Sequence, residues 1–338
     1  MRGGRFRQAM PGFVIATVVV VSCVGLAELG LRIWAPIHFV GIQDAYEYDG
    51  ELGYQIQPGL HRYKLTDHLE EIRTNGLGSV GFEESFAGYP ALIFAAGDSY
   101  TQGTGLAADA SYPFQLGQIL NRDATGLYSK RYGIVNLGLA AFGGEQSLIT
   151  LERYATKLGP PAFVLYLGCD NDYDDDQLFE SGYRHQHIVP GSPTWGWAVR
   201  PLLWLQGFEL VKRGKLAVAT LRQARSLGSR PADETARERQ GPSPAELEWP
   251  VIARIAAFAR ESGAVLVVSW ANLDSGSYPW LEAKAREEGI RFADWRPAVQ
   301  SVQQAMPELP FANPHSGGHW RTWVNRLIAE AYAREVSR

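Results

Sequence analysis

Two cysteines, Cys23 and Cys169, are all that the 338 residues contain. That is too few for a disulfide framework, and with Cys23 inside an apolar segment the pair gives no reading of redox compartment. A positive balance is missing too. Lys and Arg number 32 against 36 Asp and Glu, a net charge of −4, with a pI near 6.0. Nucleic acid is therefore not an expected partner. No internal repeat is present, which sets solenoids and propellers aside. Acids cluster at Asp170, Asp172, Asp174, Asp175 and Asp176, but without the alternating spacing of a cation loop, so they read as a solvated loop. No metal and no other cofactor is expected.

Long apolar runs are scarce, with one exception at the start. "MRGGRFRQ" carries three arginines and no acid, and residues 9–27, "AMPGFVIATVVVVSCVGLA", then run without a charge. Nineteen residues is about the helical length that crosses ~30 Å of hydrocarbon. Glu28 and Arg32 follow at i,i+4 spacing, Trp34 stands where an interfacial anchor belongs, and Pro36 stops the helix. Three readings fit: an uncleaved anchor, a signal peptide cleaved after "GLA", and lipoprotein-type processing at Cys23. The apolar run exceeds the usual signal core, which favours the anchor, a single-pass membrane helix. Arginines on the near side place the remaining domain outside the cytoplasm, periplasmic or extracellular.

Residues 1–36 thus form the n-region and anchor. Residues 37–89 are aromatic and turn-rich and read as an irregular leader that packs on the main domain at 90–338. Within that domain, apolar runs of strand length at 91–96, 133–137, 162–167, 264–269 and 290–293 alternate with helical runs. These helices fall at 112–120, 145–158, 245–261, 278–288 and 320–336. Such alternation predicts a parallel sheet covered by helices on both faces, with strands apolar throughout because both sides are buried. An insertion at about 173–244 breaks the rhythm. Its "WGWAVRPLLWLQGFELV" is too short and interrupted for a second span. It reads as an extra core helix, a lid, or a surface that touches the bilayer beside the anchor.

The first strand run ends in "GDSYTQG", with Ser99 where the next helix begins. A serine there either caps the helix or acts as a nucleophile at the carboxyl end of the sheet, where α/β folds place their ligands. Three later stretches hold what a nucleophile needs. "VNLGLAAFGGEQ" after the second strand run exposes backbone N–H groups, though it also reads as an ordinary turn. "YLGCDNDYDDD" sets Asn171 past the third, as an oxyanion donor or a turn residue. "NPHSGGHWRTW" before the last helix supplies His315 and His319, either of which can serve as general base.

With those blocks in that order, the chain resembles the SGNH/GDSL family of serine hydrolases, in which Ser, Gly, Asn and His occupy strand-end loops of a flavodoxin-like sheet. "AELGLRIWAP" and "RTNGLG" are similar to exported, anchored members. The resemblance implies a flavodoxin-like three-layer sandwich behind one transmembrane helix. It makes Ser99 the nucleophile, with oxyanion donors from Ser99, residue 141 and Asn171, and His319 as base with His315 the alternative. Three departures stand out. The donor position after Asn136 is Ala141, not Gly. No carboxylate precedes His319, where the family has an Asp two or three residues upstream and this chain has Ser316 and Gly317, which leaves a Ser–His dyad. Val324 stands where the family prefers Gly. The function implied is a membrane-anchored esterase or acyl transferase acting on a short-chain O-acyl ester of an envelope glycan or lipid. The alternative is a non-catalytic tethered binding or scaffold protein on a degenerate hydrolase fold.

Overall fold

The computed structural model describes residues 5–35, 46–64, 69–122, 131–181, 204–205, 208–214, 217, 241–313 and 318–338. The chain divides into two units, Met1–Val40 with Pro193–Arg237, and Gly41–Ser192 with Glu238–Arg338.

In the first unit, helix α1 (Arg5–Trp34) runs through the apolar segment. Its Val14–Trp34 stretch is long and apolar enough to cross a membrane, as a signal sequence also would be.

The second unit is built on a five-stranded parallel sheet of β5 (Ala91–Gly97), β6 (Tyr132–Asn136), β7 (Phe163–Gly168), β8 (Val265–Trp270) and β9 (Arg291–Phe292). Its strand order is β6-β5-β7-β8-β9. The chain passes from β5 to β6 on one side and returns to β7 on the other, the 2-1-3-4-5 order of flavodoxin-like folds. Ile93 to Ala96 and Val164 to Leu167 have no exposed surface, as expected for strands covered on both faces. The covering helices are α3 (Tyr112–Leu120), α4 (Gly144–Leu158), α6 (Pro244–Glu261), α7 (Ser277–Glu287), α8 (Arg296–Ala305) and α9 (Thr322–Val336). The parallel sheet expected from the alternation is present, in the flavodoxin-like order that the resemblance implied.

The leader is more regular than its composition implied. It folds as two antiparallel hairpins, β1 (Tyr46–Asp49) with β2 (Gly53–Ile56) and β3 (Gly59–Lys64) with β4 (Leu69–Thr74). Asp49 closes the first turn by accepting from the Glu51 and Leu52 amides. It also takes a two-pronged bond from Arg153 of α4 at 2.8 and 3.1 Å. The Asp49–Gly50 pair is a recognised hairpin signal, outweighed here by surrounding aromatics that suggested no regular period.

The acid run also departs from expectation. Instead of a solvated loop it forms the first turns of α5 (Asp172–Glu180), with Asp172, Asp175 and Asp176 buried. Buried carboxylates need donors or protons, and α4 supplies the donors. Its first amides point at two acids. Glu145 N donates to Asp176 at 3.0 Å and Gly144 N to Glu248 of α6. A methyl at Gly144 would lie 2.1 Å from the Glu248 carboxylate, so only glycine lets the carboxylate approach. Asp176 Oδ2 and Glu248 Oε2 have no hydrogen-bond partner among the described residues, and each carboxyl acts on the other's titration. A proton shared between the two accounts for the pair. Burial raises Asp176 to about 7, and burial with the charges of Asp172 and Asp176 raises Glu248 to about 10.

These acids hold protons in the fold that the unfolded chain releases near pH 4. Their contribution to stability is therefore full below about pH 4 and is lost as pH rises. The Asp176 part is gone above about 7 and the Glu248 part above about 10. Thermal unfolding should show Tm falling from pH 5 to pH 10, and Glu248→Gln should flatten that slope. An unchanged slope in the variant would contradict the shared proton.

Candidate active site

The direction of winding reverses between β5 and β7, and α/β sheets bind their ligands outside the carboxyl ends of the strands at such a switch point. In the β5–β7 register Gly97 pairs with Leu167, so Ser99 and Cys169 each follow two residues beyond that pair. Gly97 has a φ of 144°, and a Cβ there would meet the Leu167 carbonyl at 2.6 Å. Glycine lets the strand end turn sharply into α2 (Ser99–Gln102).

The capping role falls to Asp98, not Ser99: its Oδ1 accepts from Tyr100 N at 2.9 Å. The Ser99 side chain is left for other partners. Its Oγ lies 2.7 Å from His319 Nε2 and 3.0 Å from Asp98 Oδ2. His319 is held from several sides. Its carbonyl accepts from Asn313 N at 2.7 Å, and its ring packs on Tyr100 with centroids 4.9 Å apart. The helix that follows is fixed to α3, since Asn325 Oδ1 accepts from Tyr112 N and Gln115 Nε2 donates to Thr322 O. His315, Ser316 and Gly317 lie outside the described residues.

The loop after β6 carries Ala141, the one non-glycine among the described residues with positive φ, at 60°. Left-handed backbone costs an alanine roughly 1–2 kcal/mol, and the surroundings hold it there. Gln102 Oε1 accepts from Ala140 N at 2.7 Å, Tyr54 donates to the Ala140 carbonyl, and Phe142 packs edge-on to Tyr54. Among the described residues, neither the Ser99 nor the Ala141 backbone N–H has a protein acceptor. The bracing by Tyr54 and Gln102 was not read from the sequence. Tyr54 sits in the leader, 86 residues from its partner, and no local pattern marks it.

Asn171 precedes α5. Its Nδ2 donates to Asp175 at 2.6 Å and its Oδ1 accepts from Cys169 Sγ at 2.7 Å. The buried Cys169 thiol also lies 3.0 Å from Asp98 Oδ2 and 3.1 Å from Asp172 Oδ1. One S–H cannot satisfy three acceptors, and burial favours the protonated form of the acids around it. Burial raises both Asp98 and Asp172, with the Asp98 charge adding to the shift on Asp172. Asp98, Cys169 and Asp172 bring one ligand atom each within 4.8 Å of one another. Their direct contacts are hydrogen-bond separations, so they fit a protonated cluster rather than a cation. The positive charge on His319 acts on Asp98 in the opposite sense to burial, lowering its pKa. A carboxyl group beside the nucleophile thus stands within electrostatic reach of the imidazole.

Solved structures similar to this chain include three hydrolases. One is a member of the lipolytic G-D-S-L family from Veillonella parvula, at 13% identity over 73% of this chain and 98% of that one, TM-score 0.41. Another is a catalytic mutant of an acetylxylan esterase from Geobacillus stearothermophilus, at 12% identity over 75% and 97%, TM-score 0.42. A third is an alpha/beta hydrolase from the Lake Arreo metagenome, at 14% identity over 74% and 96%, TM-score 0.42. No protein-family model and no curated protein matches the chain. The strand order is that of flavodoxin-like folds, with Ser99 at the switch point.

Replacing Ala141 by Gly removes the left-handed strain at the cost of a more flexible unfolded chain. Ala141→Gly should raise stability by up to ~1 kcal/mol, read as a higher midpoint in urea. A lower midpoint would contradict the strain.

Proposed function

We propose that the chain is a serine esterase or acyl transferase of the SGNH type, acting through Ser99 and His319. One observation carries this reading. Two side chains 220 positions apart meet at 2.7 Å with Nε2 facing Oγ, at the switch point where α/β folds bind their ligands. A helix cap would need no such partner, and a degenerate scaffold has no reason to keep it.

The chemistry follows from the geometry. With His319 neutral, the Ser99 hydroxyl donates to Nε2, and Asp98 Oδ2 lies 3.0 Å from Oγ. As Oγ attacks an ester carbonyl carbon, its proton passes to Nε2 and the carbonyl oxygen becomes an oxyanion. The N–H groups of Ser99 and Ala141 are proposed as its donors, with the second amide hydrogen of Asn171. One such donor is worth about 3 kcal/mol in the transition state. The tetrahedral species expels the alkoxide, which takes the proton from Nε2. Water, or a sugar hydroxyl in a transferase, then attacks the acyl-serine and gives its proton to Nε2, and Ser99 is regenerated. Asp98 takes part of the work of the missing upstream acid: its charge, when ionised, favours the imidazolium formed during attack.

The substrate is proposed as a short-chain O-acyl ester on an envelope glycan or lipid, with α1 as an uncleaved membrane anchor and the catalytic unit outside the cytoplasm. The apolar length of α1 and the arginines that precede its apolar stretch support that placement.

Turnover of an activated acetyl ester tests the assignment. Ser99→Ala and His319→Ala should each lower kcat by at least ~1,000-fold. Full activity in either variant would overturn the proposed pair. Asp98→Asn keeps the cap but loses the carboxylate, and should lower kcat/KM by roughly 10- to 100-fold with KM little changed. A loss confined to KM would assign Asp98 to binding instead.

A further inference from the structure

The unit that contains α1 has a second element. Trp204, Leu205 and a short helix at 209–214 come from the insertion, 170 residues or more from α1 in sequence. They are tied to one end of α1 by a specific set of contacts. Glu28 accepts the backbone N–H of Glu209 at 2.9 Å and of Leu210 at 3.1 Å. Arg32 donates to the same carboxylate at 2.7 Å, and its guanidinium lies over the Phe208 ring, 5.5 Å from the centroid. Arg213 donates to the Ala35 carbonyl just past the end of α1. Both ends of the short helix are therefore fastened.

Depth follows from the position of Glu28. The uncharged run at 9–27 ends immediately before it, and 19 residues at 1.5 Å each span about 28 Å, close to the hydrocarbon thickness. In a chain anchored by α1, Glu28 stands at one edge of the hydrocarbon and holds the amides of Glu209 and Leu210 at that level. The face these residues turn outward is apolar and aromatic. Trp204 is 67% exposed, Leu205 43% and Leu210 38%, with Trp34 at 85%, and Trp204 packs edge-on to Phe208. Large aromatics turned outward suit the layer between headgroups and acyl chains, where indole is favoured.

We propose that Trp204, Leu205 and the helix at 209–214 lie in the interfacial layer of a phospholipid bilayer, pinned at the hydrocarbon edge by Glu28. The membrane contact is then a two-element surface rather than one spanning helix. This rests on reading α1 as a span, and the experiment separates the two. Full-length protein is reconstituted in phosphatidylcholine vesicles, floated on a density gradient, and its tryptophan emission measured. The lipids carry bromine either near the glycerol end or near the methyl end of the acyl chain. The difference between wild type and Trp204→Phe isolates the Trp204 signal. Bromine near the glycerol end should quench that signal roughly twofold and more than deep bromine does. Glu28→Ala should float normally and lose most of the Trp204 quenching. Protein that floats while Trp204 is quenched by neither lipid overturns the proposal, and points to a protein surface or a second copy as the cover. Quenching unchanged in Glu28→Ala overturns the pinning. Protein that fails to float overturns the anchor, and the proposal with it.

Discussion

Ser99 Oγ and His319 Nε2 meet at 2.7 Å only because several separate constraints hold at once. Gly97 must turn the strand, Asp98 must cap α2 in place of the serine, and the last helix must be locked to α3 through Asn325 and Gln115. Loss of any one moves one partner away from the other. A nucleophile and its base have to stay within hydrogen-bond reach, so the core packing and the proposed chemistry depend on the same contacts.

Behind the pair lies an uncommon density of buried acid. Asp98, Asp172, Asp176 and Glu248 are all buried, linked through Cys169 and Tyr166. Each carboxyl accepts a backbone amide, and burial favours its protonated form. The two acids at the start of α4 also anchor the end of the loop that carries Ala141. The strained alanine and the acids that flank its loop thus belong to one structural device, and the leader hairpin completes it through Tyr54.

Much of this was legible in the chain because it depends on local pattern. Strand runs, helix periods and the strand-end positions of Ser99 and Asn171 follow from apolar spacing and turn residues, and the two-sided parallel sheet from their alternation, whereas its flavodoxin-like order was implied only by the resemblance. What stayed hidden depends on long-range partners. The acids after β7 read as a solvated loop because nothing nearby shows that α4 and α6 bring an amide and a second carboxyl to them. Asp98 read as part of a motif, with no sign that its carboxyl group would face both Ser99 and the field of His319. The leader read as irregular because its hairpins are specified by pairing and by Arg153, more than 100 residues away.

The most direct test of the central claim is the site of covalent attack by a fluorophosphonate on the intact protein. Peptide mapping by mass spectrometry should find a single adduct on Ser99, formed far more slowly when His319 is replaced by alanine. Labelling of another residue, or of Ser99 at the same rate without the imidazole, would contradict a nucleophile activated by His319.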